Sequence, residues 1–204
     1  MTNNKKYIYY FISICLIFWY VTVLYWSLYP KVGLEYKMYY LDKTLSDWPG
    51  YGGLNYNLGD VLYFNNKPKI GKPIKNRGQG WFNSNAWGCW INGKKAELYF
   101  VLNDSVKTSD LKLTLLAMAS APEGSQITHL YVNDVLVDTK NIIDSVSKEY
   151  EFILPKKALE KGLVPMHLEL ILDDTSYSKN LRSQKGRPLP SIAVQWLKID
   201  SSVP

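Results

Sequence analysis

Apolar and polar positions follow two regimes along this chain, with a break near residue 30. From Tyr7 to Tyr29 the run YIYYFISICLIFWYVTVLYWSLY holds no charged side chain over 23 residues. About 20 apolar residues at about 1.5 Å rise each cross the hydrocarbon core of a bilayer, so the run predicts one membrane-spanning helix. Tyr7, Tyr9 and Tyr10 at one end, and Tyr25, Trp26 and Tyr29 at the other, stand where interfacial aromatic belts lie. A cleaved secretory signal usually has a shorter apolar part ending in small residues. Leu28-Tyr29-Pro30 offers no such site, so an uncleaved anchor is expected. Cys15 follows Ile14 rather than a small residue, which makes it a lipid-facing side chain rather than a lipid attachment point.

Beyond the break the period is two. Ala96, Leu98, Phe100 and Leu102 alternate with Lys95, Glu97, Tyr99 and Val101. Leu111, Leu113, Leu115, Ala117 and Ala119 form a second row, and Met166, Leu168, Leu170 and Leu172 a third. Residues two apart share one face of a strand, so each row predicts a half-buried strand with its core side defined. Further strands fit Val61–Phe64, Ile127–Val132, Val135–Asp138, Tyr150–Leu154 and Ile192–Ile199. YVND-VLVD reads as a hairpin whose Asn133-Asp134 corner suits positive φ. Only Lys156 to Lys161, between Pro155 and Gly162, reads as helix. Many short strands with turn signals between them predict an all-β, antiparallel β-sandwich of jelly-roll or Greek-key type, behind one N-terminal transmembrane helix. The expected organisation is a cytoplasmic tail over 1–6, the helix over 7–29, a juxtamembrane connector over 30–55 and the sandwich over 56–204. Pro49-Gly50-Tyr51-Gly52-Gly53 marks a turn cluster in the connector.

Charge sets the orientation. Lys5 and Lys6 precede the span, while Lys31 and Lys37 beyond it are offset in part by Glu35. The positive-inside rule puts the N-terminus in the cytoplasm and the body outside, as in a single-pass protein. The formal net charge is +6. Its basic residues are scattered apart from Lys67–Arg77 and Lys179–Arg187, not gathered into the stripe of a nucleic-acid protein, so no nucleic-acid partner is expected. Cys89 is the only thiol outside the membrane run, so stability must come from packing without an intradomain disulfide.

The stretch NAWGCWING, residues 85–93, then stands out, with Trp87 and Trp90 three apart and Trp81 close by. Residues three apart on an extended chain point to opposite faces, so one of the two is core and the other is free to stack. Indole faces pack against the C–H faces of sugar rings while Asn, Asp and Arg bond the hydroxyls. The candidate carbohydrate ligands are therefore Trp81, Trp87, Trp90 and Asn85. The stretch DDTSYSKNLRSQKGRPLP, 173–190, adds Asp174, Arg182 and Arg187 on a long connection, where function concentrates. The competing reading is that the indoles plug the end of the sandwich.

The order of motifs carries a resemblance. YNLGDVLYF (56–64), GQGWFNSNAWGCWINGKKAELYFVL (78–102), LKLTLLAMASAPEGSQITHLYVNDVLV (111–137), LPKKALEKG (154–162) and IAVQWLKI (192–199) follow one another. The series resembles the C-terminal periplasmic β-sandwich domain of bacterial membrane-bound phosphoglycerol transferases and large membrane glycosyltransferases. That resemblance implies a carbohydrate-binding-module-like domain acting on periplasmic or cell-surface glycans, with no catalytic residues to carry over. Here the catalytic domain of those enzymes is absent from the sequence.

The chemistry of catalysis is sparse as well. His129 and His167 are the only histidines, there is no Cys–His or G-x-S-x-G arrangement, and no zinc-ligand spacing is visible. Strand-borne Glu97, Glu151 and Glu169 are the acids from which a glycosidase pair would have to come. The expectation is a non-enzyme with no cofactor and no metal. It is a membrane-anchored carbohydrate-binding module in glycan assembly or modification, or alternatively an accessory subunit docking on a membrane glycosyltransferase or glycan exporter without sugar affinity of its own.

Overall fold

The computed structural model describes residues 3–66, 72–103, 106, 109–121, 124–160, 165–173 and 192–202. The uncharged run forms α1 (Asn3–Leu28), one helix long and apolar enough to cross a membrane, with none of its span buried against the rest of the chain. The alternating rows form strands at the expected places. The larger sheet holds β1 (Val61–Tyr63), β2 (Lys72–Pro73), β3 (Cys89–Trp90), β5 (Leu111–Ala119), β8 (Lys148–Leu154) and β10 (Ile192–Ser201). The smaller holds β4 (Lys95–Phe100), β6 (Ser125–Val132), β7 (Val135–Ile143) and β9 (Met166–Leu172).

The strand orders are β2–β1–β10–β5–β8, with β3 also on β10, and β4–β9–β6–β7. All of these pairings are antiparallel except β1 with β2. Leaving aside the two-residue β2 and β3, the eight remaining strands divide in chain order as first, eighth, third and sixth against second, seventh, fourth and fifth. That is the order of a jelly roll, two Greek keys folded into a sandwich.

Between the sheets lie the side chains that the alternation picked out. Ala96, Leu98 and Phe100 from β4 share one core with Leu111, Leu113 and Leu115 from β5, all essentially inaccessible, with Phe64 and Phe152 among the largest buried groups. The hairpin corner has Asn133 and Asp134 at φ 49° and 64°, as a type I′ turn requires. Asn133 also ties the turn inward, donating from Nδ2 to Ala158 O at 2.8 Å on α3 (Lys156–Glu160) and accepting from His167 N at 2.9 Å.

The stretch after α1 holds short elements that its lack of periodicity does not mark. A single turn, α2 (Leu34–Tyr36), runs into a π-helical turn over Lys37–Leu41. Elements this short carry no readable period, and tertiary packing holds them. Met38, Leu45 and Leu54 bury themselves against Tyr99 on the outer side of β4. Backbone and side chain add to this hold, with Ser46 N donating to Arg77 O at 3.0 Å and Gln79 Nε2 to Lys43 O at 3.1 Å.

Candidate functional site

Asn85 shapes the stretch that opens the site. Its Oδ1 accepts the N–H groups of Trp87 and Gly88 at 2.9 Å each, and its own N–H donates to Gly88 O at 2.8 Å. The side chain closes a turn rather than reaching for a ligand, as Asx motifs do. Gly88 then comes so close to β10 that a Cβ would lie 2.3 Å from Val194 O, which restricts the position to glycine. Past the turn, Cys89 and Ile91 are wholly buried on the core side, so Trp90 between them points to the other face of the larger sheet.

On that outer face Trp90 has company. Register puts it beside Ala193, which lies opposite Met118. Two ladder steps on, Tyr63 of β1 lies opposite Trp196 of β10, which lies opposite Leu116 of β5. Tyr63, Trp90, Leu116, Met118 and Trp196 are all half-buried. From strand geometry, Trp90 and Trp196 stand about 7 Å apart along the strands and about 5 Å across them. The same face turns polar further along β10, where Lys198 pairs with Asp200 at 2.8 Å and Lys112 with Glu151 at 3.1 Å. Solvent-facing sheet surfaces are normally polar. Half of this one is an aromatic and apolar platform.

The other candidates lie elsewhere. Trp81 belongs to the core: its ring packs on Phe64 at 4.8 Å and its Nε1–H donates to Glu97 O at 2.8 Å. Trp87 is half-buried in the Asn85 turn. Asp174, Arg182 and Arg187 lie outside the described residues. The ends of their segment are placed, however. Ile192 O accepts from Ile91 N at 2.8 Å, and Leu172 N donates to Lys94 O at 2.8 Å, so the segment leaves and re-enters beside the turn that follows Trp90. Asp173 at its start accepts or shares a proton with His129 Nε2 at 2.6 Å.

Beneath the 82–89 stretch, Arg77 is nearly buried and reaches Phe82 O at 3.3 Å, Ser84 Oγ at 3.1 Å and Cys89 Sγ at 3.4 Å, while its other amino group pairs with Asp47. Burial pushes the Cys89 thiol up, against the pull of Arg77. The thiolate is the reactive form, so Cys89 is expected to resist water-soluble alkylating reagents at pH 8 in the native protein and to react fully once unfolded. Intact-mass analysis checks this, and rapid native labelling would contradict it.

On the opposite side of the sandwich, the outer face of the smaller sheet gathers groups that the sequence left scattered. Glu97 and Glu169 are direct cross-strand neighbours, and Lys95 Nζ bridges them at 2.6 and 2.7 Å. Tyr99 OH donates to Glu97 at 3.1 Å, and its ring stacks on His167 with centroids 4.6 Å apart. Ligand atoms of Glu97, His167 and Glu169 fall within 4.8 Å of one another, a grouping that no sequence spacing announced. Burial alone would push Glu97 up, but hydrogen bonds from Lys95 and Tyr99 outweigh it and hold the carboxyl below its usual range. Bonds to Glu169 and Glu97 push Lys95 up in turn. The ammonium fills the space between the two acids where a glycosidic bond would have to sit. Glu151 lies on the other sheet with Lys112, so the three strand-borne acids do not meet.

No family model matches the chain, and no curated protein matches it. Among solved structures the sandwich is similar to a carbohydrate-binding module described as CBM36 in complex with calcium and xylotriose. That match has 11% identity and a TM-score of 0.41, and covers 69% of this chain and 98% of the other. It is also similar to the xylan-binding module CBM15, with 8% identity, a TM-score of 0.44 and 72% and 94% of the two chains covered. A third likeness is to CBM35 from Paenibacillus barcinonensis, with 14% identity, a TM-score of 0.34 and 72% and 92% covered.

Proposed function

We propose that this chain is a membrane-anchored, non-catalytic carbohydrate-binding protein that holds a glycan on the outer face of its larger sheet. One observation carries the reading: Tyr63, Trp90 and Trp196 share a half-exposed platform on a face that should otherwise be polar. Flat rings at that spacing suit consecutive units of a polysaccharide, each indole taking the C–H side of a pyranose. The charged half of the face, with Lys112, Glu151, Lys198 and Asp200, supplies hydroxyl partners. With α1 as the anchor and the body in the periplasm, the glycan would be one that a membrane glycosyltransferase or phosphoglycerol transferase builds or modifies, which the motif resemblance supports. The half-exposed Leu136 and Ile143 on edge strand β7 favour a second role, docking on such an enzyme.

Each stacked ring contributes on the order of 1 kcal/mol, by analogy with aromatic pairs. Affinity per site then falls in the millimolar to high micromolar range, useful mainly for a repeating polymer. Titrating the full chain in nanodiscs with purified surface or periplasmic glycans should quench tryptophan fluorescence. Trp90→Ala and Trp196→Ala should each weaken binding at least several-fold while unfolding stays within about 1 kcal/mol of the parent. Absence of glycan binding, or unchanged affinity in both variants, would sink the platform reading.

A further inference from the structure

The segment between anchor and sandwich carries a feature that sugar binding does not use. Tyr36, Tyr39, Tyr40, Trp48 and Tyr51 form one chain of ring contacts, with successive centroids 4.7 to 5.7 Å apart. Tyr51 is 81% exposed, Tyr40 51% and the adjoining Leu41 50%. This is no loose linker. Met38, Leu45 and Leu54 are buried against Tyr99, and Gly52 N donates to Glu35 Oε1 at 2.9 Å, so the rings are fixed to the folded body. Between the end of α1 at Leu28 and the start of α2 at Leu34 there are only five residues. Fully extended they span roughly 17 Å.

We infer that this aromatic cluster docks the domain on the lipid–water interface of the membrane that α1 crosses, an inference that rests on reading α1 as the anchor. Tyr and Trp favour the interface because one end of each ring system is apolar and the other forms hydrogen bonds. The five-residue tether keeps the cluster within reach of the headgroup layer. Lys31, Lys37 and Lys43 are balanced by Glu35, Asp42 and Asp47, so ring insertion rather than charge drives the contact. The docked segment packs on the outer face of the smaller sheet at its β4 edge, through Tyr99 and Val101. Docking therefore turns the Tyr63, Trp90 and Trp196 platform on the opposite sheet away from the bilayer, toward the polymer it would hold.

The test places single fluorescent labels on the full chain in nanodiscs of phosphatidylcholine brominated in its acyl chains. One label sits on native Cys15 within α1. A second sits at Tyr51→Cys and a third at Glu149→Cys on the larger sheet, both with Cys15→Ala, and the buried Cys89 stays in place in all three. The expected result is strong quenching at 15, clear quenching at 51 that high salt leaves unchanged, and none at 149. Quenching at 15 without quenching at 51 overturns the docking while leaving the anchor standing. The same holds if the label at 51 is unquenched by lipid but shielded when glycan is added, which would make the cluster a sugar surface. Absence of quenching at 15 removes the anchor, and the docking with it.

Discussion

Trp81→Ala should lower the free energy of unfolding by about 3 kcal/mol, the low end for truncating a buried aromatic because part of the ring stays exposed. The indole packs on Phe64 and the main core, and its N–H is held by Glu97 O at 2.8 Å. Truncation leaves a void and removes one of two hydrogen bonds to Glu97 O, which keeps the one from Gly78 N at 2.8 Å. The same change at Trp90, on the outer face, should cost about 1 kcal/mol or less. Urea unfolding of both variants, followed by circular dichroism, separates the two sites. A loss at Trp81 no larger than at Trp90 would mean that the ring at 81 is not part of the core.

The sandwich was legible because a half-buried strand writes its buried face into the sequence at every second position. The rows from Ala96, Leu111 and Met166 each named their core side chains, and those side chains are buried. Asn133-Asp134 marked its hairpin through the backbone angles that those residues tolerate. The site was harder to read for local reasons. The three-residue spacing of Trp87 and Trp90 implies opposite faces only on a continuous strand, and Asn85 breaks the chain with a turn that ends at Gly88. Only Trp90 stands on a strand. Trp196, its neighbour across the platform, was hidden by a bulge. The register slips between Val194 and Trp196, so Gln195 is an extra residue and Trp196 lands outward beside Tyr63. A one-residue slip leaves no mark in composition or spacing. The acids on the smaller sheet were invisible for another reason: Glu97 and Glu169 are 72 residues apart and meet only through the pairing of β4 with β9.

Replacing Lys95 with Met should make that meeting costly and reverse its dependence on pH. In the native protein Glu97 is held below its usual range, chiefly by Lys95 and Tyr99 working against burial. A carboxyl whose folded pKa is depressed adds stability above its unfolded value, roughly 4.3, and that stability is lost as pH falls through the folded value. Without the ammonium, two carboxylates with side chains only 12% and 11% exposed face each other across β4 and β9. Burial and mutual repulsion then raise their folded pKa values. Stability from a raised carboxyl is present in acid and lost as pH rises. His167, with Nε2 3.8 Å from Glu169, is the remaining basic neighbour. Lys95 is 46% exposed, so solvent screening keeps the loss at pH 7 to about 2 kcal/mol, below the 3–5 typical of a fully buried pair. Urea unfolding from pH 4 to 8 should show the parent gaining stability with pH where Lys95→Met loses it. Adding Glu169→Gln to Lys95→Met should restore most of the difference, because only one charge then remains at the cross-strand pair. Parallel pH profiles for the parent and Lys95→Met, or no rescue by the second change, would show that the bridge contributes nothing to the fold.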